Sequence, residues 1–257
     1  MYQEERMQAI LDYLKQNKRI SADEICRLYD VSRDTARRDL VSLADRGAVI
    51  RTHGGAILPA SHDSCKPYSE RIVTDVKEKQ HIAACAARLI KQGDCVIFDA
   101  STTVLACAEL LDDVPFTLIT NAINVADVIA TKENITLIML GGRLRHRHRY
   151  FYGATTLNTL SECFADKLFI GAAGFSEHGL TVDHDEDAAV IRKMISQAKQ
   201  AVVLADSSKF GKTCSFKICD LSQIDLVITA SNPPDDFADL LAKHNVDLIV
   251  AKKLSDD

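Results

Sequence analysis

Val31-Ser32-Arg33-Asp34-Thr35-Ala36-Arg37-Arg38-Asp39-Leu40 is the stretch that decides the fold of this 257-residue chain. Ser32 is a strong helix N-cap, and Val31 before it can pack on Ala36 as a hydrophobic staple. Ala36, Leu40 and Leu43 then recur at helical spacing and predict an inward face. Arg37, Arg38 and Asp34 fall on flanking or opposite faces, with Arg33 one turn before Arg37. Gly47 is placed to close the helix. The expectation is a short capped helix that holds two adjacent arginines outward.

The neighbouring segments give that helix its context. Upstream, Met7, Ile10, Leu11 and Leu14 predict an amphipathic helix over 3–17, followed by a short loop. Ser21-Ala22-Asp23-Glu24 is a capping box, so a second helix starts there and stops near Tyr29-Asp30. Two helices joined by a tight turn, the second with an outward arginine pair, make the layout that enters a DNA major groove. The arginine fork reaches guanine O6 and N7 together and also suits phosphate. An arginine pair alone would be better explained as a solvated helix face. The two caps, the tight turn and the next segment favour DNA. That segment, Val49-Ile50-Arg51-Thr52-His53-Gly54-Gly55-Ala56-Ile57, has β-prone stretches around a Gly-Gly turn and predicts a hairpin, or wing. The candidate DNA contacts are Ser32, Arg33, Thr35, Arg37, Arg38, Arg51 and His53, the last two reaching backbone or minor groove.

The run from Val31 to Leu40, with Arg51-Thr52-His53-Gly54-Gly55-Ala56 after it, resembles the N-terminal signature of the DeoR family of bacterial sugar-metabolism regulators. That family usually carries Ile or Val where Ala36 stands.

Composition is compatible with this picture. Apolar residues make up 47% and charged residues 26%, which suits a soluble globular protein with a core. The net charge of −5 by itself opposes nucleic acid, but it is uneven: residues 1–58 hold 10 Lys and Arg against 9 Asp and Glu, and the rest hold 21 against 27. Clustering of arginines matters more for DNA than the whole-chain total. No apolar run is long enough to cross a bilayer and no signal core follows the N-terminus, so no membrane partner and a cytoplasmic location are expected. The eight cysteines, at 26, 65, 85, 95, 107, 163, 214 and 219, show no CxxC spacing. They fit reduced thiols in that compartment better than zinc or disulfides, and neither metal nor cofactor is expected.

From Gly54 to Pro67 the chain is rich in Gly, Pro, Ser and Ala, which reads as a linker. The domain expectation is a winged helix-turn-helix over 1–58, a linker over 59–75 and an α/β sensing domain over 76–257. Ile82, Cys85, Ala86, Leu89 and Ile90 predict an amphipathic helix ending at Gly93. Strands are predicted at Cys95–Asp99, Phe116–Thr120, Ile135–Leu140, Lys167–Ala172, Ala201–Asp206, Leu226–Thr229 and Asp247–Val250, with helical segments between most of them. Such alternation implies a mainly parallel sheet with helices on both faces, and ligands then sit beyond the carboxyl ends of the strands.

Those ends carry Asp99-Ala100-Ser101-Thr102-Thr103, Thr120-Asn121, Gly141-Gly142-Arg143 and Asp206-Ser207-Ser208-Lys209-Phe210-Gly211. Singly, each is a helix cap, a tight turn or a solvated loop. Jointly they suggest an anion pocket in which amides and hydroxyls surround a phosphate and lysine supplies charge. The candidate effector contacts are Lys79, Asp99, Ser101, Thr102, Thr103, Asn121, Gly141, Gly142, Arg143 and Lys209. The loop Arg143-Leu144-Arg145-His146-Arg147-His148-Arg149 reads as a solvated basic loop, or else as a lid lending positive charge to an anion. His146 and His148 could share one face of a strand, but no acidic or cysteine partner lies nearby in sequence for a metal.

The family resemblance runs through this domain as well, in Glu78-Lys79, Asp99 to Thr103, Thr120-Asn121, Gly141-Gly142, Ala165-Asp166-Lys167, Gly179-Leu180-Thr181 and Asp206 to Gly211. It implies an effector domain like ribose-5-phosphate isomerase in fold that answers to phosphorylated sugars or related metabolites. The family commonly has glycine at Ser101, lysine at Ile191 and aspartate at Ala230. The resemblance implies a repressor of a carbohydrate operon rather than an enzyme, with duplex operator DNA and an anionic metabolite as partners and a homo-oligomer as the working form. The competing expectation is a sugar-phosphate isomerase with an accessory helical head. It would need a carboxylate base, and Gly171-Ala172-Ala173-Gly174-Phe175, where isomerases of this fold carry an acidic cluster, has none. A metabolite-binding adaptor without DNA leaves the wing and the arginine pair unexplained.

Overall fold

In the computed structural model, residues 3–17, 19–45, 49–52, 54–57 and 68–251 are described. The chain divides into two compact units, Met1–His62 and Asp63–Asp257.

The first unit runs α1 (Gln3–Asn17), β1 (Arg19–Ser21), α2 (Ala22–Tyr29), α3 (Arg33–Asp45), β2 (Ile50–Thr52) and β3 (Gly55–Ile57). Its core holds the predicted Met7, Ile10 and Leu14 from α1 and Ala36, Leu40 and Leu43 from α3, joined by Ile25 from α2, while the predicted Leu11 is partly buried against it. The Ser21 capping box forms in both directions, with Glu24 N donating to Ser21 Oγ at 3.2 Å and Ser21 N donating to Glu24 Oε2 at 2.8 Å. Asp30, at φ 49°, ends α2 in the left-handed region that a short polar side chain tolerates. One expectation fails here. Arg19–Ser21, read as loop, is a strand that pairs with β3, so the hairpin becomes a three-stranded sheet in the order β1-β3-β2. The partner lies over thirty residues away, beyond the reach of a local pattern. Gly55 permits the pairing, because a Cβ there would lie 2.2 Å from the Ile20 carbonyl oxygen. Gly47 and His53 lie outside the described residues.

A buried ion pair ties α1 to α3. Arg6 Nε donates to Asp39 Oδ2 at 2.6 Å, with the residues 7% and 1% exposed. Hydrogen bonding to Asp39 raises the Arg6 guanidinium above its ordinary range.

The second unit contains α4 (Tyr68–Arg71), α5 (Val76–Ala87), β4 (Cys95–Phe98), α6 (Thr102–Glu109), β5 (Phe116–Thr120), α7 (Ile123–Ile129), β6 (Ile135–Met139), β7 (Arg143–Arg145) and β8 (Tyr150–Tyr152). It continues with α8 (Ala154–Ser161), β9 (Ala165–Gly171), β10 (Gly174–Ser176), β11 (Gly179–Val182), α9 (Asp185–Ser196), β12 (Ala198–Leu204), β13 (Phe216–Cys219), β14 (Leu226–Thr229), α10 (Asp235–Lys243) and β15 (Asp247–Val250).

All seven predicted strands join one parallel sheet in the order β15-β14-β12-β9-β4-β5-β6. Successive residues alternate between two cores, as the two-residue period of a strand requires. Val96 and Phe98 meet α5, α6 and α7 on one face, and Ile97 lies with Leu160, Met194 and Leu241 of α8, α9 and α10 on the other. The apolar pattern Leu89-Ile90 does not extend α5, which stops at Ala87; the chain turns there and Gly93 adopts φ 87°. Residues 68–75, read as the end of the linker, carry α4, whose first amide donates to Arg147 O at 3.4 Å. The sheet β10-β11-β13 and the hairpin β7–β8 are additions to the expected alternation.

Strand order reverses at β4: the chain proceeds outward through β5 and β6, then returns to β9 on the other side. Ligand crevices in open α/β sheets form at such a switch point. The cysteines among the described residues are all free thiols, and no helix among them is long and apolar enough to cross a membrane.

Candidate functional site

At the DNA-facing candidate, the sequence-predicted residues fall as the helix dictates. Thr35 N donates to Ser32 Oγ at 3.2 Å, which caps α3. Arg33, Arg37 and Arg38 are exposed, as is Arg51 on β2. Arg33 pairs with Asp23 at 2.9 Å, both side chains over 60% exposed, so this contact is weak and easily exchanged for phosphate. Among the described residues neither Arg37 nor Arg38 has an ion-pair partner, which leaves both guanidinium forks available.

In the α/β unit a cavity of about 530 Å³ opens at the switch point. It is lined from the carboxyl ends of β5, β4, β9 and β12, four neighbours in the sheet. Lys79, Asp99, Ser101, Thr102, Thr103, Asn121 and Lys209 all line it. Gly141, Gly142 and Arg143 do not. They follow β6, the edge strand, and turn away into the β7–β8 hairpin. There Thr156 Oγ1 donates to Gly141 O at 2.8 Å, and a Cβ at Gly142 would sit 2.3 Å from that hydroxyl. Arg143 lies over the Tyr152 ring at 5.7 Å.

Several residues hold the rim rather than face a ligand. Asp99 accepts from Ser101 N at 2.9 Å and from Gly171 N at 3.0 Å, which clamps β4 to β9 at the switch point. Burial pushes its carboxyl up while those two amides pull it down. Ser101 Oγ accepts from Val104 N at 3.1 Å, so the hydroxyl caps α6, and it fits only because residue 171 is glycine: a Cβ there would approach Ser101 Oγ to 2.5 Å. The first-turn amides of Thr102 and Thr103 have no intrahelical acceptor, and both residues line the cavity at the positive end of the helix. Lys79 Nζ donates to Arg71 O and Thr74 O, fixing the turn before α5. Burial pushes its ammonium below the ordinary range, against a pull from Asp206. Beside it, Glu78 accepts from Ser207 N and Ser207 Oγ, each at 3.1 Å, and anchors the loop that carries Lys209. Lys209 Nζ is 3.8 Å from Asp206.

Sequence reasoning missed most of the wall. Arg71, Thr74 and Asp75 come from the stretch read as linker. His148 and Tyr150 come from the basic hairpin, and Asp183, His184 and Asp187 from the start of α9. The basic loop, read first as solvated and second as a lid, is placed by the structure as follows. Arg145 lies over Tyr152 at 4.4 Å and pairs with Glu186 at 2.9 Å, while Arg149 reaches Asp127 at 3.4 Å. Arg145 is thus engaged by α9, Arg149 makes only an exposed contact with α7, and it is His148, 5% exposed and 3.5 Å from Arg71, that enters the wall. His146 stays exposed, so the two histidines share no face. Tyr150 donates its hydroxyl to Asp187, whose carboxyl is pushed up by burial and pulled back by that hydrogen bond. The cavity is therefore not short of carboxylates, although Gly171–Phe175 supplies none.

Residues 6–62 match the DeoR-like helix-turn-helix domain, and residues 74–231 match the DeoR C terminal sensor domain. The chain belongs to the DeoR family. Within the DeoR family it is 52% identical over 253 residues to the HTH-type transcriptional repressor GlcR of Bacillus subtilis (strain 168), covering 98% of each chain. It is 32% identical over 250 residues to the glycerol-3-phosphate regulon repressor of Escherichia coli (strain K12), covering 96% of this chain and 99% of that one. Among solved structures, ribose 5-phosphate isomerase A from Methanocaldococcus jannaschii aligns with a TM-score of 0.38 and 19% identity over 51% of this chain and 53% of that one.

Proposed function

We propose that this DeoR-family chain is a sequence-specific repressor of a carbohydrate-metabolism operon. Its head binds duplex operator DNA, and its α/β domain binds a phosphorylated sugar that changes the affinity for DNA. The observation that carries this reading is the capped α3 with its two outward, exposed arginines, in a chain whose sensing domain holds a cavity at its switch point. Ser32, Arg33 and Thr35 position that helix on phosphates, Arg37 and Arg38 read bases, and Arg51 and His53 reach the flanking backbone or minor groove. Residues 1–58 form the DNA-binding unit, 59–75 the connection, and 76–257 the sensing domain, with α4 of the connection contributing to the cavity wall. Lys209 and the α6 amides receive the phosphate, and Lys79, held by the turn before α5, adds its charge to the wall. Gly141, Gly142 and Arg143 are not part of this effector set.

The working form is a homo-oligomer, since one short recognition helix covers too few base pairs for useful specificity and such heads pair on half-sites about one helical turn apart. The setting is the cytoplasm, where DNA is found and free thiols persist. This reading is of a regulator rather than an enzyme, and it is supported by Asp99, the carboxylate at the switch point, whose two oxygens are both occupied by backbone amides.

Fluorescence anisotropy with duplexes tiling the DNA upstream of the gene and its neighbours tests the first half. One tile is expected to bind at least about a thousandfold tighter than a shuffled duplex, with affinity falling steeply as salt rises. Equal, weak binding to every tile would remove the repressor reading. Turnover of ribose 5-phosphate by the same preparation would restore the enzyme alternative.

A further inference from the structure

The cavity wall is not uniformly cationic. Asp75, Asp99, Asp183, Asp187 and Asp206 line it, five aspartates against four lysines and arginines. A site built only for a polyanion would not gather that many acceptors. The charges also sort into two groups. Lys79 interacts with Asp206, Lys209, Asp75 and Arg71, whereas Asp187 interacts with Tyr150, Arg145, His184 and Glu186.

Two acceptors in this wall stand out. Asn121 is 4% exposed, and its Nδ2 donates to Phe151 O at 2.8 Å, which fixes the amide orientation. Its Oδ1 is buried and, among the described residues, accepts no hydrogen bond. Asp187 is 8% exposed; Oδ2 accepts from Tyr150, while Oδ1 is likewise buried with no hydrogen bond, the nearest charge being Arg145 Nε at 3.5 Å. Buried polar atoms are nearly always satisfied, and exceptions in a cavity wall call for a donor from outside the chain. Tyr150 and Arg145 hold Asp187 in place, so its second oxygen is preorganised to accept.

We infer that Asp187 and Asn121 form a hydroxyl-reading subsite, so that the effector is a polyhydroxylated monophosphate recognised by its hydroxyls as well as by its phosphate. This rests on the sugar-phosphate reading above and adds the residues that choose among sugar phosphates. Phosphate at the Lys209 end supplies affinity common to all of them. Asp187 and Asn121 supply discrimination, because a ligand without the matching hydroxyl leaves their oxygens unpaired in a buried wall.

Calorimetric titration of the full chain tests it with inorganic phosphate, glycerol 3-phosphate, glucose 6-phosphate, fructose 6-phosphate, ribose 5-phosphate, 2-deoxyglucose 6-phosphate and 2-deoxyribose 5-phosphate. At least one sugar phosphate is expected to bind tenfold or more tighter than glycerol 3-phosphate. Asp187→Asn is expected to erase most of that margin while leaving inorganic phosphate binding unchanged, and Lys209→Ala to weaken every ligand. If Asp187→Asn fails to fold, Tyr150→Phe and the deoxygenated ligands on the unmodified chain carry the same question. Sugar phosphates that bind no tighter than glycerol 3-phosphate, or that keep their full margin in both Asp187→Asn and Asn121→Ala, overturn the subsite but leave phosphate sensing standing. Absence of binding by all seven compounds overturns both.

Discussion

Replacing Arg37 and Arg38 together by alanine is expected to weaken operator binding by at least about thirtyfold while the protein stays fully folded. Base contacts by arginine are worth ~1–3 kcal/mol each, and the lower bounds together already give that factor. Both side chains are exposed, and neither has an ion-pair partner among the described residues, so truncation should shift stability by no more than ~0.5 kcal/mol. Arg38→Lys separates base reading from phosphate attraction: it keeps the charge but loses the two-pronged fork, so specificity should fall more than non-specific affinity. Anisotropy with operator and shuffled duplexes reads both. Unchanged operator affinity in the double mutant would remove α3 from the interface.

The second large effect is on stability. Asp39→Ala removes the 2.6 Å hydrogen bond that joins α1 to α3 and takes the carboxylate away from the buried Arg6 guanidinium. Breaking a buried pair costs about 3 kcal/mol at the lower end of the usual range, and the lower end suits a pair this close to the surface of a small unit. A unit of about sixty residues has little stability to spare, so the head should be largely unfolded. Amide hydrogen exchange is the suitable readout because it reports the two units separately. Amides of α3 are expected to lose protection while those of β9 and β12 keep theirs. Full protection of α3 in Asp39→Ala would show that the pair contributes nothing to the head.

Asp39 also illustrates what the sequence made legible. The helix pattern placed Ala36, Leu40 and Leu43 inward from spacing alone, since period and burial are the same information on a helix. It could not place Asp39, because a buried carboxylate is recognisable only once its partner thirty-three residues away is known. The same division holds in the larger unit. Seven strands were readable because a parallel sheet covered on both faces needs near-continuous apolar runs. Strand order was not readable, and it is the order that puts the ends of β5, β4, β9 and β12 side by side while leaving Gly141–Arg143 at the edge. Lys209 and the Asp99–Thr103 stretch announced themselves at strand ends. Asp187, Tyr150 and Arg71 come from a helix start, a hairpin and a presumed linker, and only the closed fold brings them to one wall. The arginines of the β7–β8 hairpin misled for a related reason: their charge was visible, but not the acids of α7 and α9 that absorb it.

In the function proposed above, occupancy of the cavity in the α/β domain changes the grip of the head on DNA. Coupling of ~1–3 kcal/mol between such sites corresponds to a change of five- to about a hundredfold in affinity. The direct measurement is operator affinity by anisotropy at fixed salt, with and without each saturating sugar phosphate, for the unmodified chain and for Lys209→Ala. At least one sugar phosphate is expected to shift the operator dissociation constant fivefold or more in the unmodified chain and to leave it unchanged in Lys209→Ala. An operator affinity that no sugar phosphate alters, or an equal shift in both proteins, would contradict the account.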